Sequence, residues 1–323
     1  MSGGVQTSSL RPSCLVRRVE AVVNTASGST GPTSPEELSV ILESFGLEHR
    51  IHSPEGDLET CIAQALGRKP DLLVILAGDG TARAAAAMAG PDGPLLAALP
   101  GGTMNMLPRA LYGQRTWQDA LIDALRQGAV HEVSGGEIDG HPFYCAAMLG
   151  APALLGRARE AVRHGQMRQA LKRAKVAVGA AFLGRLRYAL EGGMPRKVEA
   201  LSIICPLISR VLDEQEPALE IAALNPKNAA DLIALGLHAA LGDWRADRNV
   251  RTDLARRVRV WAKGAIPAIL DGETVHVGSV AEVRFIPLAF RALVPVDEPV
   301  CAPGDLRVTV PTPRTVPEST LPV

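Results

Sequence analysis

Leu72–Gly90 reads LLVILAGDGTARAAAAMAG: six consecutive apolar residues, then Gly-Asp-Gly-Thr, then a run of alanines broken by Arg83. An unbroken apolar run of that length reads as a strand buried on both faces, as in a parallel sheet. The alanines that follow have high helix propensity and little bulk, which suits a helix lying close on that sheet. Gly78-Asp79-Gly80-Thr81 is therefore a strand-to-helix turn, with Thr81 as its N-cap and the glycines free to adopt positive φ. A carboxylate, Asp79, stands at the hinge of this turn and calls for an explanation. Pro94–Gly113, PLLAALPGGTMNMLPRALYG, repeats the design with Gly101-Gly102-Thr103 at the turn.

The flanking segments follow the same plan. A strand opens at Ala21–Val23 and runs into a Gly/Ser/Pro-rich loop. The helix ELSVILESFG is closed by Gly46, LEHRIH is a strand, and the helix LETCIAQALGRKP is closed by Gly67 and Pro70. Strands alternating with helices in this way imply an open parallel sheet with helices on both faces. Near Val130 the texture changes. Val130–Met148 reads as a hairpin with Asp139-Gly140 at its turn, an Arg-rich helical region runs to about Leu190, and short alternating segments follow. The expected fold class is α/β: an N-terminal open parallel-sheet domain at 18–132, then a β-rich, antiparallel or sandwich-like domain at 133–288. From Asp297 the chain is proline-dense and reads as a flexible tail, 297–323.

Composition narrows the partners. The 323 residues carry 34 Lys plus Arg and 34 Asp plus Glu, a net charge of zero, which disfavours a general nucleic-acid binder. The five cysteines are scattered without a CxxC pair, and the seven histidines show no metal-ligand spacing, so reduced thiols in the cytoplasm are expected rather than disulfides or a zinc site. The N-terminal segment does not have the order of a signal peptide, and no uncharged apolar stretch approaches the ~20 residues of a membrane span.

In an open parallel sheet, ligands bind where the carboxyl ends of strands turn into helix N-termini, and the N–H groups there favour phosphate. Asp79 would repel a phosphate unless Mg²⁺ bridged the two, which is a usual arrangement for that ion. Either turn alone is an ordinary strand-to-helix connection. The pair, on neighbouring strands, makes a shared phosphate pocket the better reading. Neither turn is a Walker A loop or a GxGxxG fingerprint.

AGDGTARA resembles the GGDGT signature of the diacylglycerol kinase catalytic-domain family, which includes bacterial lipid kinases and sphingosine kinases and is related in fold to NAD kinases. LPGGTMNMLPR is similar to its second motif, LPxGTxNDFAR; VVNTASGS to its first, NPxSG; and PAILDGETV to its DGE motif. The four occur in order across about Arg18–Pro295. The resemblance implies that Asn24, Ser27 and Gly28 hold nucleotide phosphates, and that Gly78, Asp79, Gly80 and Thr81 form the loop for ATP phosphates and Mg²⁺, with Asp79 at the metal. It implies that Gly102, Thr103 and Asn105 complete the nucleotide pocket. Asp271 and Glu273 would face the cleft from the second domain, with Glu273 as general base on a lipid hydroxyl. It also implies that a strand at 289–296 returns to the first domain. By spacing alone, Asp271-Gly272 reads equally well as a hairpin turn.

The sequence departs from the family pattern at several positions. Ala77 replaces a glycine, while Arg83 and Ala84 replace an Asn and a Glu. Met106 and Ser134 stand where the family has aspartates. Arg83 either brings positive charge to the phosphates or is solvated one turn into its helix. The expectation is an ATP-dependent lipid kinase acting on diacylglycerol or a related acceptor; the alternatives are a nucleotide- or lipid-binding relative with weak or lost transfer, and an NAD kinase-like enzyme. Nine Lys/Arg between Arg157 and Arg187, against Glu160 alone, read as a basic amphipathic helix suited to peripheral docking at the inner membrane surface, or as a solvated helix face. Tyr188, Phe182 and Trp244 read as core or cleft walls, and a homodimer stays open.

Overall fold

The computed structural model describes residues 14–53, 56–150, 186–209, 211–212, 217–225, 245, 247, 249–296 and 306–309. β1 (Cys14–Leu15) leads into β2 (Arg18–Val23), α1 (Ser34–Ser44), β3 (Glu48–His52), α2 (Leu58–Gly67), β4 (Leu72–Ala77) and α3 (Asp79–Ala89). Then come β5 (Leu95–Pro100), α4 (Met106–Tyr112) and α5 (Trp117–Gln127). Strands β3, β2, β4 and β5 lie side by side in that order, all parallel.

The pleat of β4 explains its unbroken apolar run. Leu72, Val74 and Leu76 pack with Leu38 and Leu42 of α1 and Leu121 and Ala124 of α5. Leu73, Ile75 and Ala77 face the other way, onto Ile62 and Ala65 of α2 and Ala82, Ala85 and Ala86 of α3. A strand covered by helices on both sides has no position left for a polar side chain.

β6 (Gly128–Ile138) and β7 (His141–Phe143) form a hairpin whose turn residues, Asp139 and Gly140, have φ of +48° and +83°. The positive φ pair matches the right-handed twist of the strands and explains the Asp-Gly. The remaining strands are β8 (Ala146–Gly150), β9 (Leu186–Leu190), β10 (Arg196–Val198), β11 (Ala200–Ile204), β12 (Leu219–Leu224) and β13 (Val250–Ala255). They continue with β14 (Arg257–Ala262), β15 (Ile266–Leu270), β16 (Glu273–Val277), β17 (Val280–Pro295) and β18 (Leu306–Thr309). A six-stranded antiparallel sheet, β13-β12-β11-β8-β15-β16, faces a layer made by β6, β7, β9, β14 and β17. Leu149, Leu201, Ile221 and Ala268 on one side meet Ile138, Phe143, Tyr188, Val258 and Val283 on the other, so the second domain is a β-sandwich.

Two long strands weld the domains. Near its start β17 pairs with β14 and with the end of β6. After a register shift between Ile286 and Phe290, it pairs with the start of β6 and sets Ala292 beside Leu96 of β5. Phe290 and Ala292 then complete the core on the α2/α3 face, and Leu293 the core under α1 and α5.

Two local expectations are corrected. The helical reading up to Leu190 fails at its end, because Leu186–Leu190 is strand β9, paired with β10 and β14. Leu186 and Tyr188 are buried there and Arg187 is exposed, an alternation that the basic run masks in sequence. Residues 151–185, with Phe182 and the rest of that run, lie outside the described residues, as does Trp244. Within the supposed tail, Leu306–Thr309 forms β18, antiparallel to β6 and parallel to β1. The edge of β6 away from β17 offers unpaired backbone groups there, and a strand satisfies them.

Candidate active site

The carboxyl ends of β2, β4 and β5 open into a cleft of about 1310 Å³, whose opposite wall comes from the second domain. Asn24, Ser27, Gly28, Gly78, Asp79, Gly80, Thr81, Gly102 and Thr103 line it from the first domain, and Asp271, Gly272 and Glu273 from the second.

The three first-domain loops interlock. Asn24 Oδ1 accepts from Ala26 N at 3.1 Å, and Thr30 Oγ1 donates to the Asn24 carbonyl at 2.6 Å, which folds the first loop on itself. Ser29 N donates to Gly101 O at 3.1 Å. A side chain on Gly28 would come within 2.8 Å of Thr103 Oγ1, and one on Gly102 within 2.8 Å of Gly78 Cα. On Gly101 it would lie 2.6 Å from Ala77 N. Close approach therefore explains these glycines. Gly78 is extended, with φ −79°, and Gly80 is helical; neither takes the positive φ expected of it.

Helix α3 begins two residues earlier than its supposed N-cap: Gly78 is the cap and Thr81 lies in the first turn. The Asp79 carboxylate is used outside its own helix. Oδ2 accepts from Asn105 N at 2.8 Å and Oδ1 from Met106 N at 2.6 Å. Asp79 thus caps α4 from a neighbouring turn. Asn105 does not line the cleft. It is buried beneath the second turn with φ +52°, its Oδ1 accepting from Gly102 N at 2.7 Å and its Nδ2 donating to Gly102 O at 3.0 Å. Burial pushes the Asp79 carboxyl up from the ordinary carboxylate range, and the backbone N–H groups pull against that shift.

Asp271 and Gly272 form the β15–β16 hairpin turn, with φ of +48° and +89°, so the turn reading holds. The Asp271 carboxylate is 3% exposed and accepts from the N–H groups of Tyr144, Cys145 and Ala146 at 2.7, 2.8 and 2.9 Å. Burial raises its pKa against those three bonds. This anchoring fixes the turn from which Glu273 projects. The Glu273 side chain lies along the first turn of α3, with Cδ 3.7 Å from where a Cβ on Gly80 would stand. Met104 and Met106 bring their sulfur atoms to within 3.4 and 3.6 Å of a Cβ placed on Gly272. A thioether thus fills the place of the absent aspartate at 106. Ser134 is half-buried on β6 and does not line the cleft.

Sequence reasoning missed two parts of the lining. The N-terminus of α2 brings Asp57, Leu58, Glu59 and Ile62 to the cleft, and β8, β11, β15 and β16 supply Ala147, Met148, Ser202, Ile269 and Thr274. The Asp57 cap is legible locally, since its Oδ1 accepts from Glu59 N at 3.1 Å, but nothing local says what it faces. The described lining carries five carboxylates, at 57, 59, 79, 271 and 273, and a single guanidinium, Arg83. Among the described residues no three acids, cysteines or histidines cluster as a metal site. No described helix is long and apolar enough to cross a membrane.

Comparison with known proteins bears on the family and the fold. Residues 18–138 match the model of the diacylglycerol kinase catalytic domain. The fold is similar to that of a candidate diacylglycerol kinase from Bacillus anthracis Sterne, with 16% identity, 86% of this chain and 97% of that one covered, and a TM-score of 0.63. A diacylglycerol kinase structure from the same organism gives 14% identity, the same coverages and a TM-score of 0.57. At such identities the likeness is one of fold.

Proposed function

Residues 18–138 belong to the diacylglycerol kinase catalytic domain family, and on that footing we propose that the protein is an ATP-dependent lipid kinase working in the cleft between its two domains. The observation that carries the proposal is the meeting of Glu273 with the first turn of α3, at 3.7 Å from the Gly80 position. A phosphate seated on the N–H groups of that turn would lie beside a carboxylate fit to accept a proton. Ser27, Gly28, Gly102 and Thr103 would enclose the rest of the phosphates. Ala147, Met148, Ile269 and the two methionines give the cleft an apolar side, which suits an acyl-glycerol or sphingoid acceptor. Glu273 would take the hydroxyl proton as the acceptor oxygen bonds to the γ-phosphorus and the bond to the β-phosphate oxygen breaks.

Mg²⁺ entering with ATP needs only one or two protein carboxylates. Asp79 fits that demand as a carboxylate lining the cleft beside the turn N–H groups, and the ion would neutralise phosphate charge there. Docking would be peripheral to the membrane.

Transfer of radiolabelled phosphate from ATP into lipids in mixed micelles tests the proposal, with wild type beside Glu273→Ala. Loss of a general base should lower turnover by about 10²–10⁴. Undiminished transfer in Glu273→Ala would remove Glu273 from the chemistry. One observation favours a second reading, a nucleotide-binding relative without turnover: Asp79 is engaged as a cap and Met106 supplies no second acid. Wild type that binds ATP yet labels no lipid would establish it, and a parallel assay with NAD covers an NAD kinase-like acceptor.

A further inference from the structure

The nucleotide reading leaves an imbalance of charge: a triphosphate would enter a cleft whose described walls hold five carboxylates and one cation, Arg83. Arg83 sits one turn into α3, where side chains lean back toward the helix N-terminus. Its hydrogen bond in the structure runs from Nη1 to Leu270 O, at a long 3.5 Å. That contact spans the two domains and ends one residue before Asp271. Arg83 lines the same cleft as Gly80 and Glu273. A guanidinium has five donors in a planar fork matched to phosphate oxygens. The long bond to Leu270 occupies one of them and is readily exchanged for a charged acceptor.

We propose that Arg83 grips the terminal phosphate of the nucleotide, exchanging the Leu270 carbonyl for γ-phosphate oxygens. The assignment rests on the kinase reading for its substrate and goes beyond it by naming the group that holds the transferred phosphoryl. Because the DGE hairpin loses its tie to α3 when Arg83 leaves Leu270, γ-phosphate binding is also felt by the wall that carries Glu273. The positive charge of Arg83 stays with the phosphoryl as its bond to the β-phosphate oxygen breaks, and the negative charge left on that oxygen would be met by the loops of Ser27, Gly28, Gly102 and Thr103 that enclose the remaining phosphates.

Calorimetric titration of the full chain with ATP and with ADP, each with Mg²⁺, tests this for wild type, Arg83→Ala and Arg83→Lys. Charge-assisted hydrogen bonds of this kind predict that Arg83→Ala weakens ATP binding by about 10- to 100-fold, with ADP changed by less than about threefold. Arg83→Lys should recover part of the loss. Should Arg83→Ala not fold, Arg83→Gln, which keeps a donor for Leu270, is read in its place. Equal weakening of ATP and ADP would assign Arg83 to holding the domains together and overturn the proposal, as would unchanged ATP affinity. Wild type that shows the ATP-selective loss on mutation yet phosphorylates no lipid would sink the kinase reading while leaving Arg83 as the γ-phosphate contact. Wild type that binds neither nucleotide would overturn both.

Discussion

Asp79 closes a turn that lies twenty-six residues further along the chain, by accepting the N–H groups of Asn105 and Met106. A carboxylate suits this work because both its oxygens accept; an amide has one acceptor and would turn its NH₂ against the other N–H. Asp79→Asn should therefore cost roughly 1–3 kcal/mol of stability as well as nucleotide affinity, read by urea denaturation beside ATP titration. Wild-type stability in that variant would show that the clamp does not matter. The buried cysteines make a separate case. Burial, with Asp271 nearby, raises the thiols of Cys145 and Cys205 far above their ordinary value. At pH 8 both should stay protonated and resist iodoacetamide in the native protein, then label after denaturation, as peptide mass spectrometry would resolve. Fast native labelling at either position would contradict the packing around them.

The hairpin turns show what an element's surroundings add to its own geometry. Asp139-Gly140 and Asp271-Gly272 have nearly the same backbone, yet a Cβ on Gly140 would meet nothing within 4 Å, whereas one on Gly272 would touch the sulfur atoms of Met104 and Met106 at ordinary van der Waals distance. Gly140→Ala should cost about 1–2 kcal/mol, the left-handed penalty alone. Gly272→Ala carries the same left-handed penalty, but relieving it by moving the turn would displace Glu273, so this variant should also lower transfer. Denaturation and the lipid assay on both variants separate the two effects; equal losses of activity would mean that the DGE turn is only a turn. Glycines 101 and 102 stand under a harder limit, since backbone of the β4 turn occupies the space a side chain would need.

Across the molecule, β17 is the strand on which both domains depend. Phe290 is fully buried and meets Tyr144 edge to face at 5.0 Å between ring centroids, and Ala292 and Leu293 reach opposite faces of the parallel sheet. Phe290→Ala should cost about 3–5 kcal/mol and melt the whole chain in one step. A fragment comprising 14–138 lacks β17 and should not unfold cooperatively, although it contains the entire family match. Circular dichroism melts on the fragment check this. A sharp transition would show that the parallel domain closes its core without the returning strand.

The parallel sheet was legible because its signals are local. The apolar run of β4, the alanines of α3 and the Asp-Gly of the β6–β7 hairpin each report a geometry set by near neighbours, the pleat, the helical turn and the sign of φ. The glycine turns could be placed at strand ends on the same grounds. What Asp79 binds could not be read, because its partners are backbone groups of another turn and carry no side-chain signal. The same holds for Thr81, a sound N-cap by residue type that lost the position when the helix began at Asp79. Strand β9 was hidden because the charges upstream favour a helical reading, and pairing with β14 sets Tyr188 in the core, one of the two places its residue type suggested. Local periodicity dictates elements; contacts such as Arg83 to Leu270, 187 residues apart, exist only once the chain has folded and brought both ends of the site together.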